Sequence, residues 1–480
     1  MAGDKPHMTR WQESPHRPRG GCSIARTGSG TSRPSRRVAA GLSIVAGLAL
    51  AATACSSPNS DTSSGGGGGK TLHVSLEAVG TTAQQDVWQR YVAKQFKATT
   101  GDSVQFTTLN TGDQVLNTIE TGATTQTGPD VLDTADSYNG SAEAAKIYDP
   151  ITAADWKLMG GKDKFTPSTL SQSLTGGNTI TWYLHVDLLA YNKYLFKKAG
   201  IKSPPATWDE YTKDASLISK LGTGMSGAPF DPVSPYDPWH SIWTLTRDYG
   251  GNFVNAAGTK ATMTSVPVQK AFEYFFNLYQ QHVMVPQSIN WSSNQLEAAF
   301  ANRKVGMLNQ TSSVILSDVA GSPAAHDVAF APMPTIPPGA TSMPAGAPPH
   351  GVVGFDFGYT WGVPKWSHNA SLGYKFINIA TSPAAEKLLY KETAALPSTV
   401  KEAAALDKDP AIGPFLKYEP ESIVAPSVSY WGTVENTVAT VSATLARDVQ
   451  NHSYNKSALM AALQKANQQI DGAIANSGKS

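Results

Sequence analysis

Short alternating strands separated by helical stretches open the body of the chain, and that order leaves few folds available to it. Residues 71–76 alternate polar and apolar side chains as a strand does. Val87, Tyr91 and Phe96 then stand among polar residues in a helical pattern, which Thr100-Gly101 stops. Residues 103–108 read as a second strand and 113–121 as a short helix, and Gly128-Pro129 leads into a third strand over 130–134. Strand alternating with helix argues for an α/β lobe with a mostly parallel sheet. In such sheets ligands sit beyond the carboxyl ends of the strands. On that geometry the loop from Glu77 to Thr82 and the polar exit Asp136-Ser137-Tyr138 are site candidates, with Asp130 and Asp133 left as turn and strand-edge residues.

With 480 residues the chain is too long for one ordinary core and long enough for two lobes of about 150–200 residues each. The character changes at Ile180: residues 180–194 read as an extended run able to cross from one lobe to the next. Gly200 then ends a helix, and Thr207 with Glu210 three residues on forms a capping box for a helix over 208–221. Further helices are expected at 266–281, 294–301, 370–380, 384–392 and 456–474, while the Pro- and Gly-rich stretch 322–349 reads as loop.

The amino-terminal end has a different logic. Of the 38 Lys and Arg, eight precede Cys55, against two of the 37 acids, so a formal net charge of +1 hides a body of net −5. A mildly acidic body argues against a nucleic-acid partner. Residues 38–54, apolar or small throughout, follow Arg36-Arg37 and end in Ala52-Thr53-Ala54-Cys55. This is the pattern of a secretory signal over 1–54. The end resembles the bacterial lipobox, in which Cys55 is lipidated, although Ala52 stands where Leu is commonest and ordinary cleavage stays open. Cys22 falls within the signal, so no disulfide is available to the body. Residues 55–69, rich in Ser and Gly, read as a flexible tether between lipid anchor and body.

The later blocks resemble the extracellular solute-binding proteins of ABC sugar importers, the maltose-binding-protein-like family. They run in order: Leu189-Ala-Tyr-Asn-Lys-Tyr-Leu-Phe-Lys-Lys-Ala-Gly-Ile201, Pro204-Pro205 with Thr207-Trp208-Asp209-Glu210, and Gly250-Gly251-Asn252-Phe253. Glu297-Ala-Ala-Phe300 with Lys304-Val-Gly-Met-Leu308 follows, although Asn302-Arg303 replaces the family's usual small residue and Gly. Trp361-Gly-Val-Pro364, Thr381-Ser-Pro-Ala-Ala-Glu386 and Leu396-Pro397-Ser398 complete the set. The resemblance implies an α/β fold of the periplasmic-binding-protein type, with two Rossmann-like lobes joined by hinge strands. Its lobes map to 70–180 plus 352–395 and to 181–351 plus 396–480. It further implies a monomer, anchored to the outer face of the membrane, that delivers a carbohydrate to the transmembrane subunits of an ABC permease without any cofactor.

A sugar site needs flat aromatic faces for the C–H side of the ring, and acids or amides for the hydroxyls. Ten of the 11 Trp lie after Cys55. Trp182-Tyr183, Tyr236 with Trp239 and Trp243, Tyr359 with Trp361, and Tyr430-Trp431 are the aromatic candidates, although core packing is the commoner fate of any one of them. Trp239 and Trp431 are favoured as platforms because each stands in a loop-like, Pro-, Gly- or Ser-containing segment. Glu77, Asp113, Asp136 with Ser137, and Asn309 are the polar candidates, each with a solvated or cap role as the alternative.

A secreted hydrolase would need a nucleophile, base and orienter, or paired carboxylates across a cleft. No G-x-S-x-G, H-E-x-x-H or C-x-x-C occurs, and Gly222–Gly227 satisfies G-x-G-x-x-G only after a helix, outside any βαβ context. His185-Val-Asp187 offers two metal ligands, which do not make a site. Peptide and polyamine ligands stay open as alternatives, the latter calling for more acids in the cleft loops.

Overall fold

The computed structural model describes residues 69–77, 79–110, 112–171, 178–234, 238–406 and 408–477. The signal segment, Cys55 and nearly all of the tether lie outside the described residues, as do Tyr236 and the side chain of Asp113. Among the described residues nine strands form one hydrogen-bonded sheet system. They are β1 (Thr71–Glu77), β2 (Ser103–Leu109), β3 (Val131–Ala135), β4 (Thr179–Asn192), β5 (Met307–Thr311), β6 (Val328–Ala331), β7 (Phe355–Gly362), β8 (Leu396–Pro397) and β9 (Ile423–Val424).

β1 lies between β2 and β3 and runs parallel to both, with Thr71 opposite Ser103 and Val74 opposite Val131. Its alternation buries Leu72, Val74 and Leu76. Helix Thr82–Thr100 crosses back between β1 and β2. The Thr81 hydroxyl and the Gln84 side chain form a reciprocal capping box at its start, and Gly101 closes it at φ +81°, a left-handed position that costs glycine little. Its buried face, Gln85, Trp88, Val92 and Phe96, follows helical spacing. Because β1 and β3 are parallel, Glu77 and Ala135 emerge at the same edge of the sheet.

The long strands β4 and β7 pair antiparallel, from Thr179 opposite Gly362 to Asp187 opposite Phe355. They pass through both principal hydrophobic cores. Ile180, Trp182, Tyr183 and Trp361 pack in the first core with β1, Trp88 and Phe376. Leu189 and Phe355 pack in the second, with Trp208, Phe275, Phe276, Trp431 and Ile470. Burial of each such large apolar side chain contributes about 1.5–3 kcal/mol.

Two expectations from sequence change here. The stretch 322–349 contains β6, which pairs antiparallel with β4 from Leu189 opposite Ala331 to Asn192 opposite Val328. Four residues are too few to carry a strand signal against so many Pro and Gly. Trp431, expected in a loop, begins the helix Trp431–Gln450, which buries Val434, Val438, Val441 and Leu445. That apolar spacing was present, but the many Thr and Val are weak helix formers and tertiary packing decides the outcome.

Candidate functional site

A cavity of about 360 Å³ lies where the exits of β1 and β3 face the elements of the second core. Glu77 comes from the end of β1, and Asp136, Ser137 and Tyr138 from the short 3-10 turn after β3. His185 and Asp187 come from β4, and Asn309 and Gln310 from β5. Trp239, His240 and Ser241 lie in the first turn of helix Pro238–Asp248, and Glu435 lies just inside helix Trp431–Gln450. Phe355, Phe357 and Tyr359 alternate along β7 and present one face to the cavity, as period-two geometry requires.

Glu77, Asp136, Ser137, Trp239, Asn309 and Tyr359 therefore line one cavity. Trp239 does so from a helix rather than a loop, with Pro238 at the helix start. The other tryptophans do not line it. Trp182 and Trp361 are 1% and 0% exposed, and their rings meet at a tilt with centroids 4.9 Å apart inside the first core. Trp243 and Trp431 are 2% and 0% exposed and pack against each other and Trp239 in the second. These four are the packing behind the site, because a flat side chain between two apolar layers loses all its water and gains contacts on both faces. Asp113 falls in the first turn of helix Gly112–Thr125, its side chain outside the described residues.

Asp133, read as a strand-edge residue, is fully buried and links core to site. It accepts the Trp182 indole N–H at 2.8 Å and the backbone N–H of Glu77 at 3.0 Å. The Ala135 N–H donates to the Glu77 carboxylate, and the Gly358 N–H donates to Asp136 Oδ2 at 3.2 Å. Across the cavity the Asn309 amide donates to Ser241 Oγ at 2.8 Å and the Gln310 amide to Thr244 Oγ1 at 3.0 Å. Both amides thereby leave carbonyl oxygens buried without a hydrogen-bond partner: Asn309 Oδ1 and Gln310 Oε1. Asp136 Oδ1, Glu435 Oε1 and His185 Nε2 are likewise buried without a partner. Buried polar atoms left unpaired are costly, and in a cavity wall they are the atoms a ligand satisfies.

Burial raises the Glu77 carboxyl to about 7, against the Ala135 hydrogen bond and with help from the charge of Asp136. Asp136 is raised to about 7, again by burial, and Glu435 to about 8 by burial together with the charges of Asp136 and Glu77. Burial, with His240 nearby, lowers His185 to about 3 and keeps it neutral, while His240 pairs with Asp187 at 3.3 Å. The sign for stability follows. Over the window from the ordinary carboxylate range to about 8, the folded chain holds protons at these acids that the unfolded chain has released, so their effect is to lower stability as pH rises. Glu435→Gln should make the protein more stable at pH 8 and flatten this slope between pH 5 and 8, as urea unfolding at several pH values would show. An unchanged slope would remove Glu435 from the account.

Among the described residues no group of three or more His, Cys, Asp or Glu could hold a metal ion, and no helix is long and apolar enough to cross a membrane. Strands that run through two cores, with a polar and aromatic cavity beside them, make up the architecture of a receptor for small solutes. Residues 80–387 match the family described as bacterial extracellular solute-binding protein, and the chain belongs to that family.

The diacetylchitobiose-binding protein DasA of Streptomyces coelicolor is 24% identical over 407 residues, covering 82% of this chain and 89% of its own. Proteins of Brucella abortus and Brucella suis are 30% identical over 154 residues, a match that spans only 36% of their length. Among solved structures, a solute-binding protein of Thermotoga lettingae bound to α-D-tagatose superposes with a TM-score of 0.69 at 17% identity, over 84% of this chain and 100% of that one. Maltose-bound MalE3 of T. maritima gives 0.67 at 18%, over 85% and 99%. These likenesses place the chain in the two-lobed α/β fold.

The residues that sequence reasoning missed are Phe355, Phe357, His185, Asp187, Gln310 and Glu435. The alternation Phe355-Asp356-Phe357-Gly358-Tyr359 carried a usable signal, and His185-Val186-Asp187 stood out as a pair whose role the sequence did not give.

Proposed function

We propose that the protein is the extracytoplasmic receptor of an ABC importer, which captures a carbohydrate between two lobes and delivers it unchanged to the permease. The observation that carries this reading is the pairing, in one cavity, of an aromatic stripe with buried unpartnered amide and carboxylate oxygens. Sugars need both, a flat apolar face for ring C–H groups and acceptors for hydroxyls. The sugars named with DasA and with the Thermotoga proteins support the same class. Glu77, Asp136, Ser137, Trp239, Asn309 and Tyr359 are the proposed contacts, joined by Phe357 and Glu435. The lobes are proposed as 70–180 plus 352–395 and 181–351 plus 396–480, closing about β4 and β7. The signal-like segment ending at Cys55 supports a lipid anchor on the outer face of the membrane, and the anchored receptor is proposed to act as a monomer.

No catalytic step is part of this reading: binding shifts an open–closed population, and the permease reads the closed form. A thermal-shift screen against mono- and oligosaccharides, peptides and polyamines tests it. A true ligand at about 100 times its Kd should stabilise the protein by about 2.7 kcal/mol. A sugar that raises the midpoint and is recovered chemically intact supports the receptor. A sugar recovered cleaved would replace it with a glycoside hydrolase, and a response to peptides alone would overturn the carbohydrate.

A further inference from the structure

We infer that the cavity selects a carbohydrate carrying a basic amine, held where Glu77, Asp136 and Glu435 converge. The inference rests on the carbohydrate reading above and narrows it. The residues lining the cavity include seven carboxylates and two histidines, and no Lys or Arg among the described residues. Of the two histidines, His185 stays neutral in its buried place, and His240 Nδ1 already stands 3.3 Å from Asp187 Oδ2. No Lys or Arg of the lining therefore stands against Glu77, Asp136 and Glu435.

A group of acids alone would be only a polar wall. Here Glu435 is 7% exposed and lies at the cavity; Ser137 and Trp431 act on its carboxyl by hydrogen bonding, yet Oε1 keeps no hydrogen-bond partner. Asp136 Oδ1 is in the same condition. The charges of Asp136 and Glu77 both act on Glu435, so the three burden one another when ionised. A sugar hydroxyl can donate to one such oxygen but leaves the repulsion to be relieved only by the acids holding protons. An ammonium donates in three directions and cancels it, so the two kinds of ligand differ in electrostatic return rather than in fit. The faces of Phe355, Phe357 and Tyr359 add a surface on which a cation is also favoured.

Isothermal titration at pH 7 with the β-1,4 glucosamine dimer, its N-acetylated counterpart, cellobiose and spermidine tests the inference. N-acetylation removes the charge and keeps the ring, so the first two probes isolate it. The expected result is binding of the free-amine dimer tighter than either neutral dimer by on the order of tenfold or more. The advantage should shrink to about two- or threefold in Glu435→Gln, and Asp136→Asn should shrink it independently. Neutral dimers binding as tightly as the amine, or an amine advantage untouched by both substitutions, would overturn the inference and leave the carbohydrate reading standing. Spermidine binding with no sugar of either kind would overturn both.

Discussion

Trp361→Ala should cost the protein about 3–5 kcal/mol of stability, the largest loss expected of any single substitution discussed for this chain. The side chain is fully buried in the first core, 4.9 Å from Trp182 and edge-on to Phe376 at 5.4 Å. Deleting the indole opens a space that neighbouring rings, themselves fixed on β4 and a helix, cannot fill. The expected signature is a urea midpoint shifted down with little change in slope. Ligand affinity of the molecules that remain folded should stay within a few-fold of the parent, since the ring does not reach the cavity. Strongly weakened binding at preserved stability would show instead that Trp361 faces the ligand.

The second large effect belongs to Trp239, and its sign lies in binding. Its ring lines the cavity while its back is held by Phe355 at 5.2 Å and Trp431 at 5.8 Å. A platform so held is fixed before ligand arrives, and truncating a preorganised aromatic contact typically costs about 2 kcal/mol or more. Trp239→Ala should therefore weaken the preferred sugar by at least about thirtyfold. It should also lower stability, since the ring is 4% exposed, so titration must be done where the variant is fully folded. Trp239→Phe keeps a flat face and should recover part of the affinity. If Trp239→Ala binds as the parent does, the stripe on β7 carries the aromatic contact alone.

The contrast between these two tryptophans shows where sequence reasoning reaches its limit. Thr71 to Ala135 was legible because local periodicity and caps agree with the tertiary outcome, and parallel topology then makes the strand exits at Glu77 and Asp136 meaningful. Aromatic content gave no such guide. Trp182, Trp243, Trp361 and Trp431 satisfy the same composition argument as Trp239, yet each sits between apolar layers contributed by segments far apart in sequence. Glu435 was invisible for the converse reason. It stands in a helix whose other buried positions are mostly apolar or small, and only the approach of the β3 exit makes it part of a cavity. His185 and Asp187 were visible as a pair but set aside, because two potential metal ligands do not make a site; within β4 their neighbours on β7 and helix Pro238–Asp248 give them a place in a wall instead.

The pairing of β4 with β7 has a mechanical consequence. The same two ribbons are woven into both cores and carry His185, Asp187, Phe357 and Tyr359 into the cavity between them. A guest lodged there leans on the crossbar of the molecule rather than on a peripheral flap. If the halves close as proposed, that grip acts at the fulcrum, where a small rotation would be magnified at their outer rims.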